Sequence, residues 1–361
     1  MAAPTEHEVV HSPPPVFLTG GTGLVGSHIA EALRSGGTRV RALHRAGSDT
    51  NHLHALGCEL VEGELDWSAK ALGEVMAGCG AVVHAAASVY GNLPWTRLHE
   101  INVGGALRVF QGAAGAGIRR GVHVSSVAVY GSLAGPADET AADSPNGAPR
   151  GGYGRSKREA EEAVGGAARE SGMRVALLRP PVVYGERDRL FTPRLVRTLC
   201  FPVHLVLGSG RTPIATVYAG NLAQAALAAL VAELPVGARP YNVSGDHPVS
   251  QRALLAGLAR HLGLPFRPVA IPRHLVMAGA RVVDALGGRL PGLGGLRLRR
   301  VVEVAVLPDP YRSERAREEL GWAPPFTLEE ALARTAAWVT EEGKSTGEWR
   351  SRKTRTKRSS G

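Results

Sequence analysis

Short runs of β-branched and aliphatic residues alternate along the chain with longer stretches in which apolar residues recur at helical spacing. Residues 16–18 (VFL) run into a cluster of glycines, and a helical pattern fills 24–34. Further strand-like runs lie at 40–43, 59–62 and 81–86, and the stretches RRGVHVSSVAVYG and MRVALLRPPVVYG read as a fifth and a sixth strand. Helical patterns over 68–77, 101–116 and 153–171 separate them. Strands alternating with helices predict an α/β fold, a doubly wound parallel sheet covered on both faces. After Gly185 the rhythm breaks into shorter apolar segments between Pro- and Gly-rich turns. A smaller C-terminal substrate lobe is expected over 186–342, with part of 215–245 returning to the first domain over 16–185. No internal repeat is visible.

Composition narrows the class. The chain has 361 residues, 44% hydrophobic and 20% charged, which suits an enzyme-sized globular protein. Residues 1–15 lack the basic start and apolar core of a secretory signal and read as a flexible leader. No apolar run is long enough to span a bilayer, so a cytoplasmic protein is expected. Three widely spaced cysteines without a CxxC point to thiols in a reducing compartment rather than to disulfides or zinc. The formal net charge of +10 suggests nucleic acid until its location is considered. Much of it sits in the polar tail 343–361, which is too poor in apolar residues to fold alone. The body has no basic stripe with interleaved aromatics, so no specific nucleic-acid partner is expected. No metal site is expected either: His84 lies on an apolar strand, and His52 and His54 in a loop without carboxylate partners.

The chemistry begins where the first strand ends. Gly20, Gly23 and Gly26, with Thr22, Leu24 and Val25 between them, follow a strand and open a helix. Glycines there permit a tight turn and close approach of backbone to phosphate oxygens, and the helix N-terminus offers unpaired N–H groups to an anion. That arrangement predicts a dinucleotide site. The spacing TGxxGxxG resembles the short-chain dehydrogenase/reductase superfamily, particularly its extended branch, which includes the epimerase/dehydratase family. The resemblance covers about residues 16–341 and implies a Rossmann-type nucleotide domain. It also implies cofactor contacts from Asp66 and Trp67 in GELDW, from Ala85, Ala86 and Ala87 in VVHAAA, and from Asn102 in INVGGA. At the end of the second strand, family members using NAD carry an acid that grips both ribose hydroxyls. Here His44 and Arg45 stand instead, and a guanidinium pairs with a 2′-phosphate, so NADP is favoured over NAD.

Tyr153 and Lys157, in YGRSK, are four apart and share a helical face. A phenol with an ordinary pKa near ~10 is a poor base at neutral pH, and a nearby ammonium favours its phenolate. The resemblance makes these two catalytic, with Ser126 as third member; Ser125 beside it reads as a strand or cofactor-lining residue. Pro180, Val182 and Val183 match the segment that closes over the nicotinamide. Arg179 and Asp188 read as structural ion partners. Ser88, Tyr130 and Arg211 are candidate substrate contacts. In TVYAGNLAQA, Ala219 and Gly220 replace the family's usual small-acidic pattern.

The segment order resembles the 3β-hydroxysteroid dehydrogenase and dihydroflavonol reductase-like clade. It implies hydride transfer between nicotinamide and a hydrophobic secondary alcohol or ketone. The competing readings are a nucleotide-sugar epimerase or dehydratase with bound NAD, and a non-catalytic dinucleotide-binding redox sensor. Such sensors tend to lack the tyrosine. Homodimerisation through the 101–116 and 153–171 helices is a family expectation.

Overall fold

The computed structural model describes residues 13–89, 93–131, 137–140, 149, 151–246, 249–272, 274, 275, 278 and 309–345. Most of the leader and of the basic tail, and the apolar stretches beyond residue 278, lie outside these. Eleven strands are described, in chain order β1 (Val16–Thr19), β2 (Val40–His44), β3 (Glu59–Glu62), β4 (Ala81–His84), β5 (Arg120–Val124), β6 (Arg174–Arg179), β7 (Val182–Tyr184), β8 (His204–Leu207), β9 (Thr216–Tyr218), β10 (Gly237–Asn242) and β11 (Pro268–Ile271). The helices are α1 (Leu24–Ser35), α2 (Asn51–Ala55), α3 (Ala69–Val75), α4 (Trp95–His99), α5 (Gly105–Gly115), α6 (Gly152–Ser171), α7 (Thr192–Thr198), α8 (Ala219–Val231), α9 (Gln251–Leu262), α10 (Glu314–Leu320) and α11 (Leu328–Ser345).

Seven strands form one parallel sheet in the order β10-β6-β5-β4-β1-β2-β3. Period-2 alternation sorts its side chains. Val16 and Leu18 bury on one face with Ile29 of α1, Leu222 of α8 and Trp322, while Phe17 buries on the other with Leu72, Phe110 and Val164 of α3, α5 and α6. The chain order reverses between β1 and β4, the switch point at which ligands of open parallel sheets bind beyond the strand ends.

Several expected elements are shorter than their apolar runs. The fourth strand ends at His84 instead of residue 86, because the chain there leaves the sheet to pass the glycine turn. The fifth stops at Val124, where Ser126 accepts a hydrogen bond from the Ala128 N–H (3.1 Å) and caps a 3₁₀ turn over Val127–Tyr130. The sixth breaks at Pro180 and Pro181, which offer no backbone donors, and β7 pairs with β9 in a separate sheet. His52 and His54 lie on the short helix α2, not in a loop without carboxylate partners, and His52 Nε2 stands 3.8 Å from the Glu31 carboxylate.

Residues 219–242 return to the main sheet. The helix α8 lies on the α1 face, and β10 adds the last parallel strand beside β6. The remaining segments build smaller cores of their own. One joins Val196 and Leu199 to Leu255, Leu258 and Ala336, and another joins Tyr184, Ile214, Tyr218, Leu254 and Leu332.

Candidate active site

The glycine turn is fitted to its surroundings at two positions and open at the third. Gly20 has φ 74°, and a Cβ there would stand 2.5 Å from the Ala86 backbone nitrogen. At Gly26 a Cβ would stand 2.1 Å from the Gly20 carbonyl oxygen. Gly23 is exposed, with nothing closer to a Cβ than the Gly20 oxygen at 3.3 Å. It is also the N-cap of α1, which has no side-chain cap and no acid in its first turn. The first-turn N–H groups are therefore left for an anion from outside. These residues fit a dinucleotide pyrophosphate: the backbone is brought close where Gly20 and Gly26 allow it, and unobstructed where Gly23 faces out. Thr22, Leu24 and Val25 are half-buried around the turn.

On one side of the turn lies the end of β2. His44 is half-buried, with Nδ1 3.1 Å from the Arg45 carbonyl oxygen, and Arg45 is exposed. A cleft of about 420 Å³ opens here, lined by Thr22, Arg45, Ser48, Asp49, Glu64 and Arg189. Asp66 is exposed beyond β3. The Trp67 indole packs directly over Gly63, where a Cβ would come within 2.6 Å of the ring.

On the other side, Ala85, Ala86, Ala87 and Ser88 are half-buried where the chain leaves β4, and the Ala85 N–H donates to the Thr19 carbonyl (3.1 Å). Asn102 departs from its expected role as a direct cofactor contact. It is 2% exposed, in a π-helical turn over Glu100–Gly104. Its Oδ1 accepts from the Ser88 N–H (2.8 Å), and its Nδ2 donates to the Ser88 carbonyl (3.0 Å) and to the Ser156 hydroxyl (2.9 Å). Both ends of the amide are spent on holding the loop after β4 against α6.

The helix α6 carries Tyr153 and Lys157 along the sheet's carboxyl edge. It approaches the 3₁₀ turn closely because Gly154 has no side chain; a Cβ there would meet the Ala128 carbonyl oxygen at 2.5 Å. Lys157 is 3% exposed, and its Nζ donates to the Val124 carbonyl (2.7 Å), two residues before Ser126. Burial, partly offset by the Glu161 carboxylate, pulls its pKa down to about 8. Tyr153 is half-buried. Ser126 is half-buried too, and because its oxygen accepts from Ala128, its hydroxyl hydrogen remains available to donate. Ser125 is 3% exposed, and its backbone N–H is spent on the Leu178 carbonyl (2.7 Å).

Beneath this edge His84 and His123 face each other across β4 and β5 as stacked rings, 5.3 Å between centroids and 17° between planes. Burial, with the Lys157 charge second, holds His84 at about 3 and His123 well below the ordinary range. Both stay neutral beside the ammonium. The sequence signal for His123 was a polar residue between the two valines of the strand RGVHV.

Tyr130 requires a correction as a substrate contact. It is 0% exposed; its hydroxyl donates to Asn242 Oδ1 (2.5 Å) and accepts from Arg179 (3.0 Å), and burial pushes its pKa up to about 12. Arg179, 5% exposed, makes a two-pronged pair with Glu161 (2.9 and 2.5 Å), one turn beyond Lys157 on α6. Asp188 is not an ion partner in the same sense. It is 2% exposed, and its carboxylate accepts from the backbone N–H groups of Leu190, Phe191 and Thr192. Pro180 is buried, with its carbonyl accepting from the Val127 N–H (3.0 Å), while Val182 and Val183 are half-buried on β7. Arg211 is exposed on a turn, its N–H bonded to the Ser209 hydroxyl (3.3 Å). Among the described residues no group of three or more His, Cys, Asp or Glu side chains is placed to hold a metal. Among them, too, no helix is long and apolar enough to cross a membrane.

Comparison with known proteins agrees with this fold. The sequence model of the NAD dependent epimerase/dehydratase family matches residues 16–244. A 4-hydroxy-2-methyl-3-oxo-4-farnesyl-3,4-dihydroquinoline-1-oxide ketoreductase of Stigmatella aurantiaca is 30% identical, over 88% of this chain and 94% of its own. A UDP-glucose 4-epimerase of Vibrio cholerae is 27% identical, over 90% of this chain and 95% of its own. Among solved structures, that of gox2253 superposes with a TM-score of 0.72 at 24% identity, covering 91% of this chain and 99% of that one. With its fingerprint, sheet order and extended match, the chain belongs to the NAD dependent epimerase/dehydratase family, within the extended short-chain dehydrogenase/reductase superfamily.

Proposed function

We propose that this protein is an NADP-dependent reductase or dehydrogenase acting on a hydrophobic ketone or secondary alcohol. The observation that carries the reading is a buried lysine one helical turn from Tyr153 on α6, its ammonium donating to the Val124 carbonyl (2.7 Å), two residues before a serine hydroxyl that is still able to donate. The cofactor, when bound, supplies or takes up the hydride. The protein's own part is to place and move a proton. In reduction, the Tyr153 hydroxyl gives its proton to the substrate oxygen while Ser126 donates a hydrogen bond that orients that oxygen. In oxidation, the Tyr153 phenolate takes the alcohol proton. Lys157 favours the phenolate by its charge, and burial strengthens that interaction by excluding water. The neutral His84 and His123 add no competing charge.

Arg45 supports NADP, since it occupies the position at the end of β2 from which an acid would repel a 2′-phosphate. The relative named as a ketoreductase supports net reduction of a ketone. The relative named as UDP-glucose 4-epimerase supports a second reading, in which the same tyrosine and lysine serve a reversible oxidation of a sugar ring. Arg211, the residue best suited by sequence to a sugar diphosphate, lies on an exposed turn.

The two are separated by incubating the protein with NADPH or NADH and a panel of ketosteroids, flavonoid ketones, β-ketoacyl compounds and UDP-glucose. Stoichiometric loss of reduced nicotinamide with a ketone, faster with NADPH, is the expected result. Interconversion of UDP-glucose without net coenzyme consumption would replace this reading by the second.

A further inference from the structure

The loop after β7 is held in a way the glycine fingerprint does not explain. Arg187 has φ 65°, the one positive-φ non-glycine among the described residues. A side chain in that region costs of order 1–3 kcal/mol and persists where its surroundings fix it. Here they fix three consecutive residues. Glu186 lies 3.4 Å from His28 Nε2 on α1 and accepts from the Tyr218 hydroxyl (2.8 Å) and from Arg334 (2.8 Å). Arg187 donates to Ser27 Oγ (2.8 Å) and to Glu31 (2.8 Å), both on α1. Asp188 is buried under the N–H groups of its own following turn. The loop is thus clamped onto the helix whose N-terminus faces the pyrophosphate position.

The next residue is the one this clamp delivers. Arg189 has a side chain 74% exposed, and it stands on the wall of the 420 Å³ cleft with Thr22, Arg45, Ser48, Asp49 and Glu64. Its protein partner is Asp49 at 3.8 Å, a long and exposed pair of the kind worth at most about 1 kcal/mol. Charge makes Arg189 matter. With Arg45 as its sole cation, this wall would set one positive charge against the carboxylates of Asp49 and Glu64 and repel an anion. A phosphate monoester brings a further −1.5 to −2 charge, roughly, at neutral pH. Arg189 raises the cations to two, matching the two carboxylates of the lining.

We propose that Arg189 is a second binding residue for the 2′-phosphate of NADP, closing a two-arginine clamp with Arg45. Asp49 is its resting counter-ion, holding the guanidinium over the cleft until the phosphate takes its place. Arg45 comes from the end of β2 and Arg189 from a loop far downstream, fixed to α1 by Arg187 and Glu186. The inference rests on the NADP reading above and extends it to a residue outside the β2 turn.

The test is calorimetric titration of the full-length protein with 2′,5′-ADP and with 5′-AMP, which differ by the 2′-phosphate alone and need no turnover. The wild-type protein binds 2′,5′-ADP more tightly, and the preference shrinks with added salt. Arg189→Ala weakens 2′,5′-ADP about tenfold, as loss of a charged hydrogen bond would, and leaves 5′-AMP unchanged. Arg189→Lys recovers part of the loss, and Asp49→Asn tightens 2′,5′-ADP. Thermal unfolding of each variant, unchanged for such exposed side chains, shows that the fold is intact. If Arg45→Ala abolishes the preference while Arg189→Ala leaves it whole, the clamp is wrong and the NADP reading stands. If the wild-type protein does not distinguish the two nucleotides, the NADP reading falls and the clamp falls with it.

Discussion

Around α6 Lys157 is 3% exposed, Asn102 2% and Arg179 5%, and each is committed to a named partner at 3.0 Å or less. At the cleft beside the end of β2, Arg189 and Asp49 have side chains 74% and 59% exposed, and the pair between them spans 3.8 Å. The first region is fixed by burial, where an unmade bond costs a full desolvation penalty. The second is held by backbone anchoring one residue away, and its charged side chains stay in water, able to exchange one partner for another. The first way suits the proposed catalytic site, which would hold a phenol and an ammonium in one geometry. The second suits the proposed clamp, which would exchange a carboxylate for a phosphate. Mutations in the two regions should therefore differ in kind as well as size.

The largest effect is expected from Tyr153→Phe, which removes the proton donor and keeps the ring. Steady-state kinetics should show kcat down roughly 10²–10⁴-fold, with the unfolding midpoint unmoved. A catalytic role assigned to any other hydroxyl would leave this variant active. Next is Glu161→Ala, which strands the buried Arg179 guanidinium. Breaking a buried pair from one side costs about 3–5 kcal/mol, to be read from urea unfolding. The same variant removes the carboxylate that raises the Lys157 pKa, so its activity should fail at lower pH than the parent's.

The pH dependence of the parent gives a smaller, graded effect. Lys157 sits at about 8, below its ordinary 10.5, so its ammonium is present below pH 8 and lost above it. The rate of ketone reduction should fall as pH rises through about 8, approaching tenfold per unit. A rate flat to pH 10 would separate the lysine from the proton transfer. The smallest effect is expected at Arg211→Ala: less than twofold in KM for a ketone, and stability within about 0.5 kcal/mol. A large rise in KM for UDP-glucose would instead favour the epimerase reading.

The fold was legible because its signals are local. A strand, a glycine turn and a helix with alternating apolar faces specify a βαβ unit within one stretch of chain, and the sheet's two faces follow from the alternation of Val16, Phe17 and Leu18. The candidate site was legible where residues sit a fixed number of positions apart, as Tyr153 and Lys157 do. It was not legible where side chains turn inward. Tyr130 and Asn102 look like pocket residues by position. Nothing in their neighbours announces that Asn242 and Arg179, or Ser88 and Ser156, will consume their polar atoms. Arg189 was invisible for a further reason: its meeting with Arg45 depends on how the loop after β7 is pinned to α1. The break at Pro180 and Pro181 was readable in principle, since tandem prolines interrupt a strand.

The most direct test of the central claim follows a labelled hydrogen. The wild-type protein is supplied with NADPH deuterated at both hydrogens of the nicotinamide C4 and with whichever ketone drives the fastest coenzyme loss, and the product is analysed by mass spectrometry. One deuterium in each alcohol formed, on the former carbonyl carbon, with one NADPH consumed and none of this with Tyr153→Phe, is the predicted result. A product without deuterium, or equal turnover by the phenylalanine variant, would contradict a Tyr153-dependent ketone reduction.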